Sequence, residues 1–207
     1  MTMLREIREP DAREAEENLR VIRGLMERST KHSTFSGVSG VLAGVASIAG
    51  CLITNSLRQT VLHPADYQAD FLVTWTLVIC FAIGADYLLT KRRAAMVGKR
   101  ILSHLGKQMT IASAPGLGTG VLVTLYFLQH GILDQIFPIW MLCYGIAVCA
   151  VGLFSQREVT YLGAAFLGTG AITLFLPPQW GLPMMAVAFG GFHIGYGILM
   201  GRKDGWA

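Results

Sequence analysis

The chain has 207 residues, 53% of them hydrophobic and only 14% charged, against about 25% charged in soluble domains. That composition excludes an ordinary soluble domain. The net charge of +4 does not require nucleic acid, because membrane topology accounts for the same excess of lysine and arginine.

The chain opens with a charged arm, residues 1–34, holding seven acidic and seven basic side chains. Asp11 and Glu14 follow Pro10 and form a helix-start signal. Ala15, Leu19, Ile22 and Met26 then fall on one helical face, while Glu9–Arg13 and Glu16–Arg20 are acid-before-base pairs four residues apart. The spacing predicts an amphipathic helix over 11–27. Equal acid and base weaken any pull toward anionic lipid, so the stripe between residues 4 and 28 reads as a surface for a protein partner or a second copy. The arm lacks the apolar core and small-residue cleavage site of an export signal.

Six apolar stretches follow, at 35–54, 71–90, 109–128, 136–154, 160–176 and 182–200, each of a length that crosses a bilayer. Ser33 and Thr34 are positioned to cap the first. Ser36, Gly40 and Gly44 form a row at spacing four, beside a second row of Ser39, Ala43 and Ser47, so another helix can approach closely. Residues 55–70 read as the one sizeable outer loop. Lys91, Arg92, Arg93, Lys99, Arg100 and Lys107, interleaved with leucine and isoleucine, read as a basic interfacial helix on the inner leaflet. Pro115 in the third stretch predicts a kink. Trp75, Trp140, Trp180 and Tyr67 read as an aromatic belt at the outer interface.

Sixteen of the seventeen lysines and arginines fall on one side of this serpentine, and Arg58 alone falls on the other. The asymmetry places both termini in the cytoplasm, with a bacterial inner membrane as the expected location.

Leu117-Gly118-Thr119-Gly120 returns fifty residues later as Leu167-Gly168-Thr169-Gly170. At an offset of forty-five, Pro138 aligns with Pro183, Gly145 with Gly190, Gly152 with Gly197 and Arg157 with Arg202. Stretches 3–4 and 5–6 therefore read as two copies of one hairpin in the same orientation. Gly118, Gly120, Gly168 and Gly170 join Ser36, Gly40 and Gly44 as candidate packing positions.

Two ionisable residues sit inside the stretches. Asp86 is the only acid there, and an intramembrane acid is a functional candidate by default; an ion pair with Lys91 or Arg93 is the plainer reading. His193, in Gly190-Gly191-Phe192-His193-Ile194-Gly195, can titrate or bond across helices. Thr119 and Thr169 are candidate lining residues for any pathway past them. His63, Asp66, Asp70, His130 and Asp134 lack a recognised metal spacing, and we expect no metal.

The cysteines, Cys51, Cys80, Cys143 and Cys149, read as small buried hydrophobes. No G-x-S-x-G or H-E-x-x-H motif is present, so catalysis, cofactors and nucleic acid are not expected. The sequence points to an all-helical six-span membrane protein with a cytoplasmic amphipathic arm. Its expected role is non-enzymatic, structural or interacting, with a small proton- or ion-coupled transporter or channel as the alternative.

Overall fold

The computed structural model describes residues 13, 16–22, 36–96 and 104–206, and among them there is no strand. The chain divides into two units, Met1–His32 and Ser33–Ala207. In the first, residues 16–22 are helical and all exposed, Leu19 at 66% and Ile22 at 51%. Arg13 is helical as well; the rest of the predicted 11–27 helix lies outside the described residues, as do Ser33 and Thr34.

The second unit contains α1 (Gly37–Thr60), α2 (Pro64–Met96), α3 (His104–His130), α4 (Ile136–Gly152) and α5 (Arg157–Leu174). The last helix runs without a break through α6 (Gly181–Met185), a π-helical stretch (Ala186–Phe192) and α7 (His193–Asp204). Among the described residues, five segments are long and apolar enough to cross a membrane: Gly37–Thr60, Pro64–Arg92, Gly106–His130, Leu133–Gly152 and Pro178–Lys203. The expected stretch 160–176 is not among them; most of it lies in α5, which opens with Arg157-Glu158 and carries three glycines and three threonines.

Several expected boundaries change. Residues 55–70 are not a loop: α1 continues to Thr60 and α2 starts at Pro64, leaving three connecting residues. Proline is tolerated at a first helical position because its missing N–H has no intrahelical partner to lose. At the other end α2 runs on to Met96, so Lys91 and Arg92 extend a spanning helix instead of opening a separate interfacial one. Both are exposed, as is Lys107; Lys99, Arg100 and the Arg93 side chain lie outside the described residues. α3 continues through Pro115 as one helix.

Apolar side chains cover the outside of the bundle. Leu77, Ile83 and Leu88 on α2, and Ile111, Val121 and Leu122 on α3, are all more than half exposed. Water would penalise so large an apolar surface, whereas lipid requires it. The long apolar helices and this inverted surface make the protein membrane-embedded.

Two close helix pairs organise the interior. α1 lies on the last helix through glycine on both sides: a Cβ on Gly37 would stand 2.6 Å from the Gly197 carbonyl oxygen, and one on Gly44 would stand 2.6 Å from that of Gly190. α4 and α5 form an antiparallel pair in contact along their length, from Gly152 against Thr160, through Gly145 against Gly163, to Met141 and Leu142 against Gly170. Small residues allow such approach where lipid supplies no hydrophobic force between helices.

Aromatic rings fill the space between these pairs. At the end carrying Arg58, Phe71 packs edge-on against Phe137 and Trp75 against Trp140. Trp75 is therefore an interior residue and Trp140 is half-buried against it, and Trp180 is the tryptophan of that end left exposed. Each indole N–H donates to a threonine of the preceding helix, Trp75 to Thr54 at 3.1 Å and Trp140 to Thr124 at 2.7 Å. The threonine hydroxyls in turn donate to the carbonyls of Gly50 and Gly120. Buried indoles need such a partner, and each arrangement ties a hairpin together.

Candidate functional site

Asp86 sits on α2, ten residues before the helix ends at Met96. Across the helix interface, the Ser39 hydroxyl of α1 lies 2.8 Å from Asp86 Oδ1. Ser39 is itself buried, held there because α1 must bring its small face against its neighbours. The described contact is with a serine; of the partners the sequence offered, Lys91 or Arg93, the Arg93 side chain lies outside the described residues.

His193 begins α7, immediately after the π-helical stretch. A π turn adds a residue to the local helical circuit and re-aims the side chains around it, which is why such turns are frequent at functional positions. Phe189, Phe192 and His193 all meet Phe166 of α5, while Gly190 and Gly197 remain directed at α1. His193 Nδ1 donates to the Phe189 carbonyl at 2.8 Å, since a carbonyl oxygen only accepts. Nε2 is then the acceptor in the neutral ring, and the Tyr144 hydroxyl of α4 donates to it at 2.7 Å.

Phe166 is the centre of this cluster. It is completely buried, with ring centroids of Tyr144 and Phe189 at 4.8 Å, His193 at 5.3 Å and Phe192 at 5.5 Å. Gly40, next to Ser39 on α1, packs on the His193 backbone: a Cβ there would stand 3.1 Å from the His193 carbonyl oxygen. Asp86 and His193, which the sequence marked separately, therefore belong to one neighbourhood, with Ser39 and Tyr144 as their partners. Those two partners went unrecognised because they are 47 and 49 residues from the groups they touch, and a lone tyrosine in an apolar run carries no local signal.

The candidate threonines are placed elsewhere. Thr119 is exposed and its hydroxyl donates to the Pro115 carbonyl at 2.8 Å. Thr169 is half-buried, and its carbonyl accepts from the Thr173 hydroxyl. Gly118 and Gly168 have no atom within 4 Å of where a Cβ would stand; among the repeated glycines, Gly120 and Gly170 are the ones that meet a neighbour. Ser36, Gly40 and Gly44 lie along the α1 face, with Ser36 and Gly44 buried. Cys51 and Cys143 are buried, Cys149 is half-buried, and Cys80 is exposed, unlike the expected set of four buried thiols.

Near the end of α1, Arg58 takes the carboxylate that the sequence offered as a metal ligand. Its guanidinium pairs with Asp134, donates to the Tyr67 hydroxyl at 3.2 Å and lies over the Phe137 ring. Asp134 is half exposed, so the pair contributes about 0.2–1 kcal/mol. Among the described residues no three His, Cys, Asp or Glu side chains gather as a metal site. At the opposite end Lys203 bonds Glu158 and Gln156. Lys203 holds the Glu158 carboxyl below its ordinary value of 4.5. This stabilisation is complete above that value and is lost as pH falls through the depressed one.

Comparison of the chain with protein-family models, curated proteins and solved structures gave no match. What is defined is the class, a multi-helix membrane-embedded protein with a partnered polar cluster among its helices.

Proposed function

We propose that the protein is a six-span anchor of a bacterial inner membrane, non-enzymatic, which presents its N-terminal amphipathic helix and basic inner loop to a protein partner in the cytoplasm. The observation that carries the reading is the exposed helix at residues 16–22, whose Leu19 and Ile22 are both more than half exposed. An apolar stripe flanked by equal numbers of acids and bases suits another protein helix better than lipid.

The sixth crossing is supported by the α4–α5 pair. A helix in contact from one end to the other of a membrane-spanning helix shares its depth, and α5 meets α4 from Gly152 to Met141. The hairpin repeat has its own support. Gly145 and Gly152 of α4 face the next helix, α5, while the aligned Gly190 and Gly197 of the last helix face α1. In both cases the return helix turns its glycines onto the first helix of another hairpin, so the two contacts are equivalent. Sixteen of seventeen cationic residues on one side then put both termini in the cytoplasm.

Removing residues 1–28 tests the docking role. In native membranes the shortened chain should still insert but no longer co-purify the protein, or second copy, that a cysteine at Leu19 crosslinks in the full-length chain. An identical crosslinked set from a cysteine placed at Gln179 would contradict the proposal.

A further inference from the structure

Ser39 makes two contacts with one hydrogen. Its Oγ lies 2.8 Å from the Ser36 carbonyl oxygen and 2.8 Å from Asp86 Oδ1. A hydroxyl donates once and accepts through two lone pairs, so only one of these contacts can use the serine's own hydrogen. The Ser36 carbonyl has none to offer and already accepts from the backbone N–H groups of Ser39 and Gly40, at 3.1 and 3.4 Å. The other possible donor between these three groups is the acid form of Asp86.

Two proton arrangements therefore fit one set of heavy-atom positions. With Asp86 ionised, the Ser39 hydroxyl turns to Oδ1, and the Ser36 carbonyl keeps its backbone partners. With a proton on Oδ1, Asp86 donates to Ser39 Oγ, and the Ser39 hydroxyl turns to the Ser36 carbonyl. Neither arrangement leaves a buried polar atom unpaired, so the helices need not move for the proton to come or go. The acid form also removes a bare charge from among apolar helices.

The Tyr144–His193 pair has a matching freedom. In the neutral ring, Tyr144 donates to Nε2. A proton added at Nε2 reverses that bond, leaving the tyrosine hydrogen to seek another acceptor. Among the described residues, the groups of this neighbourhood are Ser39 from α1, Tyr144 from α4 and His193 from α7, with Tyr196 three residues after His193 and Lys91 five residues further along α2 than Asp86.

We infer that Ser39, Asp86, Tyr144 and His193 form one intramembrane proton-binding site, in which Asp86 holds the proton and the Ser39 hydroxyl reverses as it is taken up or released. The ligand is a proton alone: the carboxylate oxygen gains one O–H bond, and no other bond is made or broken. The site goes beyond the anchoring role and stands independently of the arm.

Infrared difference spectroscopy of the whole protein in liposomes, with aspartate carboxyl carbons isotopically labelled, reads this directly. Asp66, Asp70 and Asp134 are exposed, so the difference between wild type and Asp86→Asn separates their bands from that of Asp86. The expected result is a second isotope-sensitive carboxylic acid band with its own midpoint, absent in Asp86→Asn. Ser39→Ala, which removes the donor to the carboxylate, should move that midpoint about one pH unit higher, and Tyr144→Phe should move it by a smaller amount. A single isotope-sensitive aspartate population in the wild-type protein would overturn the inference, whatever the variants do. So would a second band whose midpoint is unchanged in Ser39→Ala.

Discussion

Gly197→Ala should loosen the bundle by about 1–3 kcal/mol, the usual cost of forcing atoms into a filled interface. The new Cβ would stand 2.6 Å from the Gly37 carbonyl oxygen and 2.7 Å from the Val41 nitrogen. Both are backbone atoms, so no rotamer change relieves the clash and α1 must move away from the last helix. Gly197→Val should cost more. Gly118→Ala supplies the contrast, because nothing lies within 4 Å of its Cβ position and alanine is favoured over glycine in a helix interior by roughly 0.5–1 kcal/mol. Thermal unfolding in detergent should give a lower Tm for Gly197→Ala and an equal or higher one for Gly118→Ala. Equal midpoints for the two variants would show that the glycine contact does not hold the helices together.

Phe166→Ala should have the largest effect of any single truncation in the core. The ring is fully buried and touches four other rings from α4 and the last helix, so its loss leaves a cavity that three helices would have to shift to fill. In aqueous cores such a change costs about 3–5 kcal/mol. In lipid the transfer contribution is largely absent and the packing contribution remains, which lowers the expectation to roughly 2–3 kcal/mol. Phe166→Leu should recover most of the loss. Equilibrium unfolding in mixed micelles measures both; a Phe166→Ala change within about 0.5 kcal/mol of wild type would remove Phe166 from the centre of the bundle.

The sequence announces its helices through hydropathy, a property of each segment alone, and the apolar windows from α1 to α4 and in the last helix are where that reading placed them. Helix ends are less legible. Residues 55–70 contain Arg58, Pro64, Asp66 and Asp70, which look like loop residues, but polar side chains can extend a spanning helix past the hydrocarbon. The glycines show the same division. Gly40, Gly44, Gly120 and Gly170 lie at contacts, yet Gly118 and Gly168, in the same short motif, face outward, because a rotation of two residues carries a position to another side of a helix.

Asp86 and His193 stood out because ionisable groups are rare in apolar segments. Their partners did not, because Ser39 and Tyr144 become special only once α1 meets α2 and α4 meets the last helix. The π-helical stretch was equally hidden: the Gly190-Gly191 pair permits it, but tertiary packing around Phe166 selects it. Tryptophan misled for a related reason. Its usual place at an interface suggested a belt, whereas Thr54 and Thr124 give Trp75 and Trp140 the hydrogen bonds that make burial affordable.

The account rests most heavily on α5 traversing the membrane, since that crossing returns the chain for the last helix and fixes the side of the C-terminus. Single cysteines at Gln156 and Gln179, in a chain freed of its four native thiols, bracket α5. Labelling with a membrane-impermeant maleimide in intact cells should modify position 179 and leave 156 protected until the cells are opened. Equal labelling of both positions from one side would mean that α5 does not cross, and the six-span bundle would be wrong.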